Sequence, residues 1–206
     1  MLAHLASPDA ASAPCVAVLL HGYGSDERDL AGLAGYLPRG LAWASVRAPI
    51  RGPGPGFSWY SLDSEASWAA IEAIGGATDA LWEWTDEALA PGALLVPIGF
   101  SQGGLMASQL LRTRPERVPG AAILSGYVLP SAMASDVELA SSRPPVFWGR
   151  GELDPVIPPH AIDATTAWLP GHSTLDARVY PRMGHSVSED ELRHLREFVA
   201  AIAPAS

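Results

Sequence analysis

Residues 94–103 constrain the fold of this chain more than any other stretch. The apolar run Leu94 to Ile98 has strand composition, Gly99-Phe100-Ser101-Gln102-Gly103 follows it directly, and an amphipathic segment starts at once. Small residues two before and two after a serine are what a sharp strand-to-helix turn needs. A Cβ at either place collides with neighbouring backbone while the serine is held strained and exposed. In a chain with 20 glycines, a glycine-rich turn with an incidental serine is the bland alternative, so the pentapeptide needs support from elsewhere in the sequence.

Strand-length apolar runs alternate with helix-length segments, the pattern of βα units and a parallel sheet covered on both faces. Strands are predicted at Cys15 to Leu20, Leu41 to Arg47, Leu94 to Phe100, Gly120 to Ser125, Val146 to Trp148 and Leu175 to Tyr180. Helices are predicted at Glu27 to Leu37, Trp68 to Leu89 with a break at Gly75-Gly76, Gln102 to Arg114, Ala161 to Leu169, and Glu189 to Ile202. The last opens with Ser188-x-x-Glu191, a capping box in which each side chain satisfies the other residue's backbone N–H. Pro97 disagrees with a central strand because it removes a ladder hydrogen bond, so a bulge or an unpaired neighbouring carbonyl is expected there. Pro49 to Gly56 and Pro130 to Pro145 read as the two long loops. Trp82 and Trp84 cannot share one helix face; one of them can be exposed, although core packing is the commoner use of tryptophan.

A serine hydroxyl is weakly nucleophilic at neutral pH, and an imidazole with a pKa of about 6.5 suits the task of removing its proton. His185 fits, on the loop between the 175–180 strand and the last helix. His4 lies in the leader, His160 and His194 fall in or beside helices, and His172 sits in a turn after Pro170-Gly171. His21 is assigned to holding its own loop by hydrogen bonds. Asp154, in the loop after the 145–148 run, fits the carboxylate that orients an imidazole. Glu152 is its nearest rival, and Asp136 and Asp176 read as solvent-facing. Ser101, Asp154 and His185 then share the carboxyl edge of the sheet, where open parallel sheets place their sites, in the chain order nucleophile, acid, histidine. Leu20-His21-Gly22-Tyr23-Gly24 follows the first apolar run. A loop so rich in glycine can turn backbone N–H groups toward a developing oxyanion, completing a hole begun by the N–H of Gln102.

Length and composition set outer bounds. The 206 residues suit one domain spanning 1–206, with residues 1–13 a short leader, ordered or frayed. A formal charge of −9, with 13 basic residues that are all arginine, argues against nonspecific nucleic-acid or anionic-membrane binding. The absence of lysine removes Schiff-base and P-loop chemistry. Cys15, the single cysteine, is expected in a buried strand and cannot form an internal disulfide. No segment approaches the roughly 18 uninterrupted apolar residues of a membrane span, and the first residues lack signal-peptide character. A cytoplasmic location without integral membrane association is the resulting expectation. The histidine spacing matches no metal motif, so neither a metal nor a cofactor is expected.

Taken together, Leu20-His21-Gly22-Tyr23-Gly24, Ser58-Trp59-Tyr60, Gly99-Phe100-Ser101-Gln102-Gly103-Gly104, Asp154-Pro155-Val156-Ile157-Pro158 and Gly184-His185 resemble the phospholipase/carboxylesterase family of α/β-hydrolases, which also contains the acyl-protein thioesterases. The resemblance implies an α/β-hydrolase fold: a mostly parallel central sheet with helices on both faces and no large cap domain. It implies a serine hydrolase of carboxylic esters or thioesters with Ser101, Asp154 and His185 as triad and the Tyr23 and Gln102 backbone N–H groups as oxyanion hole. Trp59 and Tyr60 either line an acyl or aryl pocket or pack their loop against the domain; the resemblance favours the pocket and makes both substrate-binding. A small-molecule ester is the implied partner, and an isologous homodimer the implied assembly. Arg150-Gly151 departs from the His-Gly that family members often carry there. A carboxylesterase for short to medium acyl or aryl esters is therefore the leading expectation. An acyl-thioesterase or lysophospholipase comes second, and a binding module on a hydrolase scaffold, whose mark would be a degenerate triad, third.

Overall fold

The computed structural model describes residues 1–52, 54–62 and 68–203, so Pro53 of the predicted 49–56 loop lies outside the described residues. Its strands are β1 (His4–Ala6), β2 (Cys15–Leu20), β3 (Ala42–Val46), β4 (Ile50–Arg51), β5 (Phe57–Ser58), β6 (Leu94–Phe100), β7 (Ala121–Leu124), β8 (Pro145–Gly151) and β9 (Thr174–Tyr180). The helices are α1 (Trp68–Ala88), α2 (Gln102–Thr113), α3 (Asp136–Ser142), α4 (Pro159–His172) and α5 (Glu189–Ile202). Seven strands form one sheet in the order β1-β3-β2-β6-β7-β8-β9. Only β1 runs antiparallel, against β3. β4 and β5 pair as a separate antiparallel ribbon. No cap domain is present among the described residues.

A strand covered on both faces needs apolar residues throughout, and every residue of β2 is buried. Val16, Val18 and Leu20 face α1 and α2, while Cys15, Ala17 and Leu19 face α5 and the 3-10 turn Leu30–Tyr36. Each such aliphatic side chain contributes about 1.5–3 kcal/mol when fully buried. The chain runs from β2 to β3 on one side and later returns to β6 on the other. The strand order therefore reverses between β2 and β6, and the crevice this opens at the carboxyl ends receives the loops after both strands.

Several expectations change. Of the two alternatives left for the first residues, the ordered one is seen at His4–Ala6, which pairs with Val46–Ala44 as an edge strand. α1 has no break at Gly75-Gly76: the roughly 1 kcal/mol that each glycine costs a helix is offset by burying Ile74, Ala77, Leu81 and Trp84. Trp82 and Trp84 are both buried, with one indole N–H donating to Thr113 Oγ1 (2.8 Å) and the other to His4 Nδ1 (3.1 Å). At Pro97 β6 keeps its pairing with β2, and its ladder with β7 begins one residue later, at Ile98. The predicted 130–145 loop contains α3. Its Asp136 is not solvent-facing, because both carboxylate oxygens accept from the fully buried Arg112. His172 is the last residue of α4, which continues through Pro170.

Half of the predicted capping box is present. The Glu191 N–H donates to Ser188 Oγ (3.2 Å), whereas the Glu191 carboxyl turns into the core with no hydrogen-bond partner among the described residues. Gly149 makes room for it, since a Cβ there would stand 2.0 Å from Glu191 Oε1. Burial pushes this carboxyl up to about 7, against 4.5 for an ordinary glutamate. The folded protein thus holds a proton that the unfolded chain has released. Stability from the neutral form is complete below pH 4.5 and is lost as the pH rises through about 7. Relative to Glu191→Gln, the native protein should lose up to about 3 kcal/mol between pH 4.5 and 8. Urea unfolding of both proteins across that range measures the difference.

Candidate active site

The loop after β6 places Ser101 at φ 55° and ψ −117°, outside the regions an ordinary residue occupies. Two close backbone approaches hold it there. A Cβ on Gly99 would lie 1.9 Å from the Gly103 carbonyl oxygen, and one on Gly103 would lie 1.9 Å from that of Leu20. The Ser101 N–H donates to Leu124 O (2.9 Å), which ties the turn to the end of β7.

His185 Nε2 is 2.9 Å from Ser101 Oγ, and His185 Nδ1 is 2.8 Å from Asp154 Oδ2. An ionised carboxylate only accepts. The proton of a neutral ring therefore belongs on Nδ1, leaving the Nε2 lone pair for the serine hydroxyl. The other oxygen of Asp154 accepts from the N–H groups of Val156 (2.8 Å) and Ile157 (3.3 Å). Its side chain is 3% exposed, while its rival Glu152 points to solvent. The acid and histidine loops are joined by Glu152 N–H to Tyr180 O and Leu153 N–H to Met183 O. Ser125 Oγ adds a bond to Ser186 O, and the Phe100 ring lies 4.9 Å from that of His185.

His21 holds its loop. Its Nδ1 is 2.7 Å from Gly22 O, its Nε2 accepts from the Ala48 N–H, and burial lowers its pKa. Trp59 is wholly buried and does not border the cavity at Ser101; its indole N–H donates to His21 O (2.8 Å). Trp59, expected at the substrate, stands behind the cavity wall, where its bond to His21 O braces the 21–25 loop. Tyr60 does border the cavity, as do Tyr23 and Gln102. Gly24 N–H donates to Phe57 O and Phe57 N–H to Ser25 O, stitching the same loop to β5. Below it, Arg47 grips Glu27 through two hydrogen bonds and holds that carboxyl at about 2.

Three contributors escape a reading of motifs. The Gln102 side chain accepts from Trp59 N–H (3.1 Å) and donates to Tyr60 O (2.9 Å), so the residue after Ser101 also fixes the aromatic wall. Tyr127 adds to the wall of the cavity, whose volume is about 270 Å³, as do Val156, Ile157 and Pro158, which belong to a matching motif but whose place in the wall that motif does not show. Tyr127 lies just beyond β7, at the same carboxyl edge as the triad; that position was the available signal.

A family model described as phospholipase/carboxylesterase matches residues 3–203. Acyl-protein thioesterase 1 of Kluyveromyces lactis is 27% identical over 207 residues, 90% of each chain. Carboxylesterase SOBER1 of Arabidopsis thaliana is 29% identical over 103 residues, 49% of this chain and 45% of its own. The chain matches about half the length of SOBER1 and of the acyl-protein thioesterase 1 of Mycosarcoma maydis. Among solved structures, the Bacillus cereus carboxylesterase superposes with a TM-score of 0.82 at 23% identity, covering 98% of this chain and 95% of that one, a likeness of fold. Esterase PE8 reaches 0.74 at 28% identity, with 98% of both chains covered. With the family model running through all of the site's loops, the chain belongs to the phospholipase/carboxylesterase family.

Proposed function

We propose that this protein is a serine carboxylesterase for small esters of short to medium acyl or aryl acids. The observation that carries the reading is the unbroken series Asp154, His185, Ser101, with bonds of 2.8 and 2.9 Å ending at a cavity wall. In this reading His185 Nε2 takes the Ser101 proton as Oγ attacks the ester carbonyl carbon. The carbonyl oxygen becomes the oxyanion, held by the backbone N–H groups of Tyr23 and Gln102, and Asp154 stabilises the imidazolium without taking its proton. The imidazolium then protonates the departing alcohol, leaving acyl-Ser101. Water, deprotonated by the same Nε2, attacks the acyl carbon, and the acid leaves as Ser101 recovers its proton.

A thioester in place of the oxygen ester is the second reading, favoured by the acyl-protein thioesterase relative aligned over 90% of both chains. The chemistry on Ser101 is the same, and only the leaving group differs. Comparing an oxygen ester with the thioester of the same acid separates the two.

Hydrolysis of p-nitrophenyl acetate should disappear into background in Ser101→Ala. In Asp154→Asn, kcat should fall by about 10⁴, because an amide favours the wrong imidazole tautomer. Activity undiminished in either variant contradicts the reading. Gln102→Ala keeps the backbone donor but removes the acceptor of the Trp59 backbone N–H and a donor to Tyr60 C=O, so about 1–3 kcal/mol of stability should be lost. Thermal unfolding should register this, and kcat on the acetate should fall with it.

A further inference from the structure

A second cavity, of about 310 Å³, lies beside the catalytic one and shares three wall residues with it, Tyr60, Tyr127 and Pro158. The remainder of its wall is largely aliphatic, from Ile71, Ile74, Leu105, Leu129 and Ala161. No acidic or arginine side chain borders it among the described residues. Such a surface suits an uncharged hydrocarbon chain, whose transfer from water it rewards with about fourfold in affinity per methylene. Between the cavities the hydroxyls of Tyr60 and Tyr127 are hydrogen-bonded to each other at 2.9 Å.

Both tyrosines are registered to the nucleophile. The Tyr60 carbonyl accepts from the Gln102 side chain, on the residue that follows Ser101. Tyr127 follows Gly126, where a Cβ would stand 2.9 Å from Ser101 O and 3.0 Å from Gly104 Cα. The Gly126 carbonyl is further fixed by the Trp148 indole N–H (3.0 Å), and Val128 N–H by Thr165 Oγ1 (3.0 Å). Backbone held this firmly leaves rotation of the two side chains, with loss of their shared hydrogen bond, as the motion that joins the two cavities.

We propose that the Tyr60–Tyr127 pair is a partition that sets acyl-chain length: short acyl groups are turned over on the Ser101 side, and longer ones must part the pair and seat their distal methylenes in the second cavity. The inference rests on the esterase reading and adds to it the residues that decide which acids are accepted.

The test is the ratio of kcat/KM for p-nitrophenyl octanoate to that for the acetate, taken within each protein so that a general loss of activity cancels. Tyr127→Ala removes one leaf of the partition and should raise the ratio roughly tenfold, the worth of about two buried methylenes. Ala161→Leu narrows the second cavity from its far side and should lower the ratio several-fold. Should Tyr127→Ala not fold, Tyr127→Phe, which keeps the ring and removes the hydroxyl bonded to Tyr60, should still raise it. Unchanged ratios in Ala161→Leu and in either Tyr127 variant would overturn the proposal. So would a Tyr127 effect confined to alkyl acetates of growing alcohol length, which would assign the cavity to the leaving group. Calorimetric binding of octanoate to Ser101→Ala reads the cavity without turnover. Adding Ala161→Leu should weaken that binding roughly tenfold if the chain enters, and unchanged binding would count against the proposal. A failed esterase reading would show itself separately, as acetate hydrolysis independent of Ser101.

Discussion

Everything at the candidate site depends on one steric bargain, the contact of β6, α2 and the end of β2 without intervening side chains. Gly99 and Gly103 allow carbonyl oxygens to stand where a Cβ would otherwise be. That closeness forces Ser101 into its strained conformation and lifts its hydroxyl to the cavity wall. Strain of this kind costs of the order of 1–3 kcal/mol and persists only where the surroundings over-determine it. Here the surroundings are a central sheet with fully buried strands and the bond from Ser101 N–H to Leu124 O.

From that fixed point the other loops are placed by short polar links more than by apolar packing. His21 fastens the loop after β2 to Ala48, and Trp59 fastens it to the segment just beyond β5. Gln102 joins that segment back to the elbow, so its backbone and its side chain serve the same small region for different reasons. On the opposite side, the Asp154 and His185 loops are tied together by backbone hydrogen bonds. The proposed Tyr60–Tyr127 partition extends the same logic, because each ring is carried on backbone anchored to the Ser101 turn.

The parts legible in sequence were those written as local patterns. Strand runs such as Cys15–Leu20 and the start of α5 after Ser188 stand where periodicity and capping put them. Ser101, Asp154 and His185 lie together because chain order and sheet-edge position are sequence properties. What was not legible depends on partners distant in the chain. β1 exists because β3 offers an edge, and Trp82 and Trp84 are both buried because Thr113 and His4 receive their N–H groups. Asp136 turns inward because of Arg112, and Glu191 leaves its capping box for a space that only Gly149 opens. Trp59 and Tyr60 are adjacent and aromatic, yet only the fold decides that one braces the 21–25 loop while the other faces the cavity.

A Ser101 hydroxyl activated by His185 would attack a fluorophosphonate, so the intact mass of the protein after that reaction, followed by mapping of the modified residue, tests the proposed chemistry. One stoichiometric adduct is expected on Ser101, absent in Ser101→Ala and formed far more slowly in His185→Ala. A folded protein that forms no adduct, or carries it on another residue, would contradict it.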